Sequence, residues 1–583
     1  MNDDPVTREL VRAALTSIAD NMVVSVIRTA RSIVVKSNLD FSASICDAAG
    51  RMVVQGLALP VHLGATMPAL AGCRDFFGED VAPGDILISN DPYAGASHLN
   101  DVFMFKPVFA PDQPGVGGRL FAYLSLILHH TDMGGRVPGG NAADSVEIYQ
   151  EGLRIPPSKI YERGQPNRTL FRIIENNVRV ADRVLGDMRS QIAALHNAER
   201  ELLKVIEEYP LDALGAQMDG LVDHAERLTR AGLAALPDGT AEFDEWNDDD
   251  GAGGGPVRIH VKLTIRGDEA IVDFTGTSPQ TSGALNPNFW FTASCSYAAL
   301  RAVLPPGIPN NAGFYRPITV IAPERSFVNP AFPAPVGARG QAGYRVRSAV
   351  LGALAQLFPD RVPACPGGNE FAIVFAGYEA DYKPFLMLEF HNMTGMGGGP
   401  HSDGQDAGPY CLGNVANVPV EVIEAEHPVR IEEYGFLPNT GGPGRYRGAL
   451  GIVRQYRLLA DEATVQLRSD RNVFPPWGLF GGHPGAKGRA LLNPGSNAAE
   501  ELPSKFVRTY RKGDVIRGEM PGSGGYGDPF LRDPAAVLED VRQHKMSPAH
   551  ARAAYGVVID PDTMTVDAAA TRRLRRQGTM TAG

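Results

Sequence analysis

The chain is short of the features that mark specialised protein classes. It has five cysteines in 583 residues, Cys46, Cys73, Cys295, Cys365 and Cys411, with no pair at zinc-finger or redox-motif spacing. That excludes a disulfide scaffold and fits a reducing, cytoplasmic setting. It has no excess of basic charge: 55 Lys and Arg stand against 66 Asp and Glu, a formal net charge of −11. A nucleic-acid partner is therefore not expected, because phosphate backbones are met by basic faces. The opening residues MNDDPVTREL lack the basic and apolar regions of a secretory leader, and the sequence pattern predicts no membrane-spanning run. Nor is there a Walker A loop, or a strand followed by GxGxxG and a helix, so ATP is not expected to bind this chain.

Glycine and proline are abundant, with 65 and 45 residues, which favours many short strands and turns over a helical bundle. The length exceeds what one core accommodates. We expect an α+β multidomain chain: an N-terminal α/β metal-binding part over residues 1–235, an α+β domain over 236–395, a glycine-rich β domain over 396–532, and a C-terminal helix pair with its tail over 533–583. Asp4-Pro5 and the apolar positions Val11, Leu15, Ile18, Met22 and Val26 predict a helix over roughly 5–30. FSASICD-AAG-RMVVQ predicts a hairpin, and residues 67–77 a helix. GDMRSQIAALHNAERELLKVIEEY carries a strong helical period, and RVRSAVLGALAQLF another. The glycine-dense segments NMTGMGGGPHSDGQDAGPYCLGN and NTGGPGRYRGALG are expected to be tight turns packed backbone against backbone. The basic tail TRRLRRQGTMTAG is expected to be frayed.

The candidate chemistry is concentrated between Asn90 and Asp132, which holds His98, His129, His130, Asp91, Asp101 and Asp132. LFAYLSLILHH reads as a buried strand ending in a histidine pair, and on a strand His129 and His130 face opposite ways, so at most one can serve a given site. His98 and Asp101 lie three apart in a Gly/Ser/Asn-rich segment, within reach of one ion. Neutral imidazoles and ionised carboxylates from separate segments are what a divalent cation takes; a packed or surface histidine pair is the other reading. Asp40 sits at a strand entrance, as a strand-start residue or a further carboxylate. His62 in LPVHLGATM reads as structural. GGRVPGGNAADSVEIYQEGLRIPP, with Asp144, Glu147 and Glu151, reads as a lid or substrate-lining loop.

Strings along nearly the whole chain carry a resemblance: DPVTRELVRAALTSIADNM, NLDFSASICDAAGRMV, LPVHLGA, PGDILISNDPYAGASHLNDV, HHTDMGG, EIYQEGLRIPP, LGDMRSQIAA, NVPVEVIEAEHPVRIEEY, GGPGRYRGALG, LRSDRNVFPPWGL and PGSGGYGDP. The chain resembles the hydantoinase B / oxoprolinase family, which includes components of N-methylhydantoinase, caprolactamase and acetone and acetophenone carboxylases. The resemblance implies a hetero-oligomer in which a hydantoinase A-type partner binds ATP and phosphorylates a small cyclic amide, which then reacts at a Zn²⁺ or Mn²⁺ site in this chain. It implies Asp40, His98, Asp101 and His129 as ligands, with Asp132 or His130 orienting one of them. Carboxylation of a ketone is the alternative it leaves, and a non-catalytic scaffold a more distant one. The chain departs from the family pattern by extra residues around PDQPGVGG, expected in a turn, and by SIVVKSNLD before the Asp-Phe-Ser motif, expected to line the substrate pocket.

Overall fold

The computed structural model describes residues 4–56, 59–110, 118–369, 371–379, 381–391, 394–408, 412–413 and 415–580. The extra residues of PDQPGVGG, 111–117, and Cys411 lie outside the described residues. The first helix, α1 (Pro5–Thr29), is capped by the Asp4 carboxylate, which accepts the amides of Val6 and Thr7. Pro5 occupies the first helical position, where the missing amide costs nothing. Val11, Leu15, Ile18, Met22 and Val26 form its buried face. By length and composition α1 is apolar enough to cross a membrane, which the sequence pattern does not predict. In the fold one face of α1 packs within the first core, while Val6, Leu10 and Val24 are exposed.

Four more helices belong to this part of the chain besides a short α2 (Ile33–Lys36): α3 (Pro60–Phe77), α4 (Arg168–Asn177), α5 (Ala181–Glu208) and α6 (Leu211–Ala234). They flank a seven-stranded sheet of β1 (Phe41–Asp47), β2 (Met52–Gln55), β3 (Ile86–Ser89), β4 (Asp101–Ala110), β5 (Arg119–His129), β6 (Ser158–Glu162) and β7 (Gln165–Pro166). The strand order is β2-β1-β5-β4-β3-β6-β7, and every pairing is antiparallel. Val102, Met104, Leu126 and Leu128 point into a core shared with α1 and α5. Phe103, Phe105, Tyr123 and Ile127 point into a second core shared with α3. Burial on both faces accounts for the near-continuous apolar run of β5.

The second sheet, β8 (Gly239–Asn247), β9 (Val257–Arg266), β10 (Glu269–Asp273) and β11 (Ile318–Ile321), runs in the order β11-β10-β9-β8. Helices α7 (Phe289–Leu300), α8 (Ala312–Tyr315) and α9 (Arg339–Leu357) belong with it, and α7 packs on both α3 and α9. Strands 371–378, 384–391, 462–468 and 505–511 form one four-stranded sheet, which spans the boundary expected near residue 395. A five-stranded sheet lies between residues 429 and 519. The C-terminal pair, Pro534–Arg542 and Pro548–Tyr555, is followed by a third helix, Ala568–Met580, where a frayed tail is expected. The Arg575 guanidinium holds that helix in place by donating to the carbonyls of Tyr555 and Arg532.

Buried charge joins the sheets. The Arg345 guanidinium of α9 meets the Asp470 carboxylate at 2.9 Å, and Asp470 also accepts the Asp248 amide at the end of β8. The glycine-rich segments are close-packed backbone, as the sequence predicts. A Cβ at Gly448 would stand 2.0 Å from the Ser523 carbonyl oxygen, and one at Gly522 would stand 1.8 Å from that of Thr440. Both neighbours are backbone and cannot swing aside. Gly522→Ala is expected to cost about 1–3 kcal/mol or more, the range for overpacked interiors. A urea midpoint unchanged from wild type would contradict this packing.

Candidate metal centre

Three adjacent strands bring the candidate residues together. In the antiparallel register Asp101, the first residue of β4, lies opposite His129, the last of β5. On the other side of β5, the His129 amide donates to the Asp40 carbonyl, and Phe41 of β1 is paired with Leu128. Residues directly opposite in antiparallel strands share a face, so Asp40, His129 and Asp101 stand in a row across β1, β5 and β4. Leu39, just before this row, adopts a φ of 64°, a conformation that costs a non-glycine residue about 1–3 kcal/mol. The turn before β4 adds His98, whose carbonyl accepts the Asp101 amide.

One nitrogen from each of His98 and His129 and one oxygen from Asp101 lie within 4.8 Å of one another, and all three residues are buried. His98 Nε2 and Asp101 Oδ1 face each other at 3.2 Å, and His129 Nδ1 is buried without a hydrogen-bond partner. Polar groups gathered away from water cost free energy, and a divalent cation would take one lone pair from each of the three residues. Asp40 lines the same cavity, of about 50 Å³, but stands outside this triplet.

Each donor is prepared by its neighbours. His98 Nδ1 faces the Gly337 carbonyl at 3.3 Å, which favours the tautomer with a lone pair on Nε2. Gly337 is itself held by Glu151, whose Oε1 accepts the Gly337 amide at 2.6 Å. Burial, with help from Arg339, lowers the His98 pKa to about 4. Burial, followed by the charge of His98, takes His129 well below its ordinary value. Both rings are thus neutral at physiological pH, the form a cation needs. Burial alone would raise the Asp101 pKa, but the attraction of His98 when protonated, of Arg339 and of His62 outweighs it; where His98 is neutral, Arg339 remains as the permanent charge beside the carboxylate. Asp101 Oδ2 accepts from Arg339 Nη2 at 2.6 Å and from the Ser97 hydroxyl, which leaves Oδ1 turned to the histidines.

The structure corrects four expectations. Asp132 does not touch the cavity: it accepts the amides of Arg179 and Gly139 and pairs with the Arg179 guanidinium at 3.1 Å, tying the loop after β5 to the start of α5. His130 does not line the cavity; burial lowers its pKa, against which Asp187, Gln191 and Asp101 act. The segment SIVVKSN does not line the cavity, because Ile33, Val34 and Val35 are packed in the first core. His62 is not merely structural: its Nε2 lies 3.6 Å from Asp101 Oδ1 and 3.8 Å from Asp40 Oδ1. The signal that finds it is the start of α3, at Pro60 rather than near residue 67, which puts His62 in the first turn facing the cavity. Arg339 and Arg468 are also in the wall; Arg468 lies in the string LRSDRNVFPPWGL, and neither stands out in the sequence as a site residue.

Of the expected loop acids, Asp144 pairs with Arg136 at the surface and Glu147 precedes a short turn. Glu151 is buried, and burial raises its pKa to about 8.

The site defines a class: a multidomain α+β protein in which the ends of central antiparallel strands gather imidazoles and carboxylates around a small buried cavity. The chain belongs to the hydantoinase B/oxoprolinase family, whose model matches residues 4–529. It is 32% identical, over 98% of each chain, to a protein of a Pseudomonas species that is named as the B component of a D-/L-hydantoinase. It is 33% identical to the β component of the caprolactamase of Pseudomonas jessenii, over 97% of this chain and 98% of that one. The crystal structure of the ATP-dependent caprolactamase from that organism superposes with a TM-score of 0.92 at 31% identity, covering 99% of this chain and 100% of the other. A nucleotide-free acetone carboxylase superposes equally well, TM-score 0.92, over 100% of this chain and 83% of that one, but at 19% identity it shows the fold alone.

Glu151 generates a pH prediction. Its folded-state pKa is raised, so the neutral carboxyl contributes stability in full below the unfolded-state pKa near 4.5. That contribution is lost as pH rises towards about 8. Glu151→Gln, which cannot ionise, should flatten the stability profile between pH 5 and 8. A urea-midpoint profile with the same slope in both proteins would contradict the assignment.

Proposed function

We propose that this chain is the ring-opening component of a cytoplasmic, two-component, ATP-dependent cyclic amidase. A hydantoinase A-type partner binds ATP and phosphorylates the oxygen of a lactam or hydantoin, and the activated ring is hydrolysed in the cavity of this chain. The convergence of one nitrogen each from His98 and His129 and one oxygen from Asp101, within 4.8 Å of one another in three buried residues, is the observation that carries this reading. The relatives at 32% and 33% identity bear amidase-type names, which favours hydrolysis over ketone carboxylation.

His98, Asp101 and His129 would hold a divalent cation, Zn²⁺ or Mn²⁺, with Asp40 beside them to complete its shell. Such an ion supplies a Lewis acid for the activated carbonyl and a water that ionises near neutral pH. The remaining work belongs to the protein. Arg339 fixes Asp101 through Oδ2 and keeps that carboxylate charged. Ser42 Oγ accepts the Leu59 amide and lies 2.9 Å from His62 Nδ1, where its second lone pair can accept the Nδ1 proton. With its Nδ1 proton on Ser42, His62 would present the Nε2 lone pair between Asp101 and Asp40, take the proton of the attacking water there, and as the imidazolium so formed give it to the departing ring nitrogen. Phosphorylation of the amide oxygen removes the resonance that protects an amide, so the cavity need only position water and manage a proton.

Turnover of the complex with its partner should fall by at least about 100-fold in His129→Ala, with the circular dichroism spectrum unchanged. His62→Gln should lose the same activity while retaining its bound metal. ATP consumption should be independent of bicarbonate. Full activity in His129→Ala would overturn the site assignment, and bicarbonate-dependent ATP consumption with a ketone would replace the amidase by a carboxylase.

A further inference from the structure

A second cleft, of about 330 Å³, opens one helical turn from the candidate metal centre. Its walls come from the elements that line the metal cavity. On α7, Phe291 faces the metal cavity and Ser294 this cleft; on α9, Tyr344 faces one and Arg347 the other; at the start of α3, Val61 and His62 line the first and Pro60 the second. The cleft is of the size that takes a small molecule. Tyr297 and Tyr315 stand with ring centroids 4.5 Å apart, and Phe314, Ala298 and Ala302 complete an apolar wall.

Its charged side chains have one sign. Arg301 and Arg347 both line it, and no carboxylate does among the described residues. The Tyr315 hydroxyl and Arg301 Nη1 are buried without hydrogen-bond partners, and Tyr315 is only 8% exposed. Both groups belong to residues that line the cleft, and the Arg301 guanidinium stands 4.9 Å over the Phe314 ring. A phenol O–H and a guanidinium N–H left unpaired on two residues of one cleft, next to an aromatic wall, match one kind of guest: an anionic oxygen on a flat apolar body.

We propose that this cleft is a second binding site, separate from the metal centre, for a small planar organic carboxylate. Its carboxylate accepts from Arg301 Nη1 and the Tyr315 hydroxyl, and its body lies along the aromatic wall. The site is independent of the reaction proposed above.

Calorimetric titration of the full-length chain with benzoate, and separately with inorganic phosphate, tests this. Benzoate should bind one per chain, equally to wild type and His129→Ala. Its binding should weaken at least about tenfold in Arg301→Met and severalfold in Tyr315→Phe, a variant that loses only a hydroxyl and is expected to fold. Phosphate should bind at least about tenfold more weakly than benzoate. The proposal is overturned by absence of saturable benzoate binding to the folded wild type, by unchanged affinity in Tyr315→Phe, by loss of binding in His129→Ala, which would move the guest to the metal cavity, or by phosphate binding as tightly as benzoate.

Discussion

The registration of β1, β5 and β4 is the constraint from which the candidate centre follows. Because β5 pairs antiparallel with both neighbours, its last residue, His129, sits opposite Asp101 on one side and beside Asp40 on the other. A slip of one residue would turn His129 to the opposite face and bring His130 forward. That slip is opposed along the whole strand, since Leu126 and Leu128 would have to exchange cores with Tyr123 and Ile127. The apolar run that looks like mere core is therefore what aims the imidazole.

Gathering this much polarity inside a protein is expensive, and the surrounding structure shows how the cost is offset. Burial removes charge from the histidines and leaves them neutral, while Arg339 keeps Asp101 ionised. An unpaired carboxylate in such a place would take up a proton instead. Distant parts of the chain take part: Gly337 and Arg339 at the start of α9 contact His98 and Asp101, and Glu151 holds Gly337. The centre thus depends on the second sheet and its helices being docked on the first, where α7 packs on α3 and Asn288 at its start donates to the Ala96 carbonyl; the buried Arg345–Asp470 pair ties α9 to the segment after strand 462–468.

Much of this is legible from residue order, and what is not has physical causes. The helical period of α1, the β1–β2 hairpin and the strand ending in His129 follow from local patterns and are found where those patterns place them. Spacing marks His98 and Asp101, whereas Asp40 shows in the sequence only as a strand-start acid with two readings. His62 reads as structural because the local pattern starts its helix too late, past Pro60. Arg339 is hidden in the same way: the pattern starts α9 at Arg345, which conceals that its first turn points into the cavity. Asp132 shows the opposite error. Its neighbours in sequence suggest a site role, but its carboxylate is taken up by Arg179 and Gly139, contacts across 47 and 7 residues. Partners distant in the chain decide such cases, and local pattern does not report them.

The central claim is that Asp101, His98 and His129 share one divalent cation. Anomalous diffraction from crystals of the purified chain, recorded on either side of the zinc and manganese absorption edges, tests it directly. The account predicts a single strong anomalous peak within about 2.0–2.2 Å of His98 Nε2, a His129 ring nitrogen and an Asp101 oxygen, and its loss in His129→Ala. A map from metal-replete crystals with water alone between these side chains, or with the peak elsewhere in the chain, would contradict it.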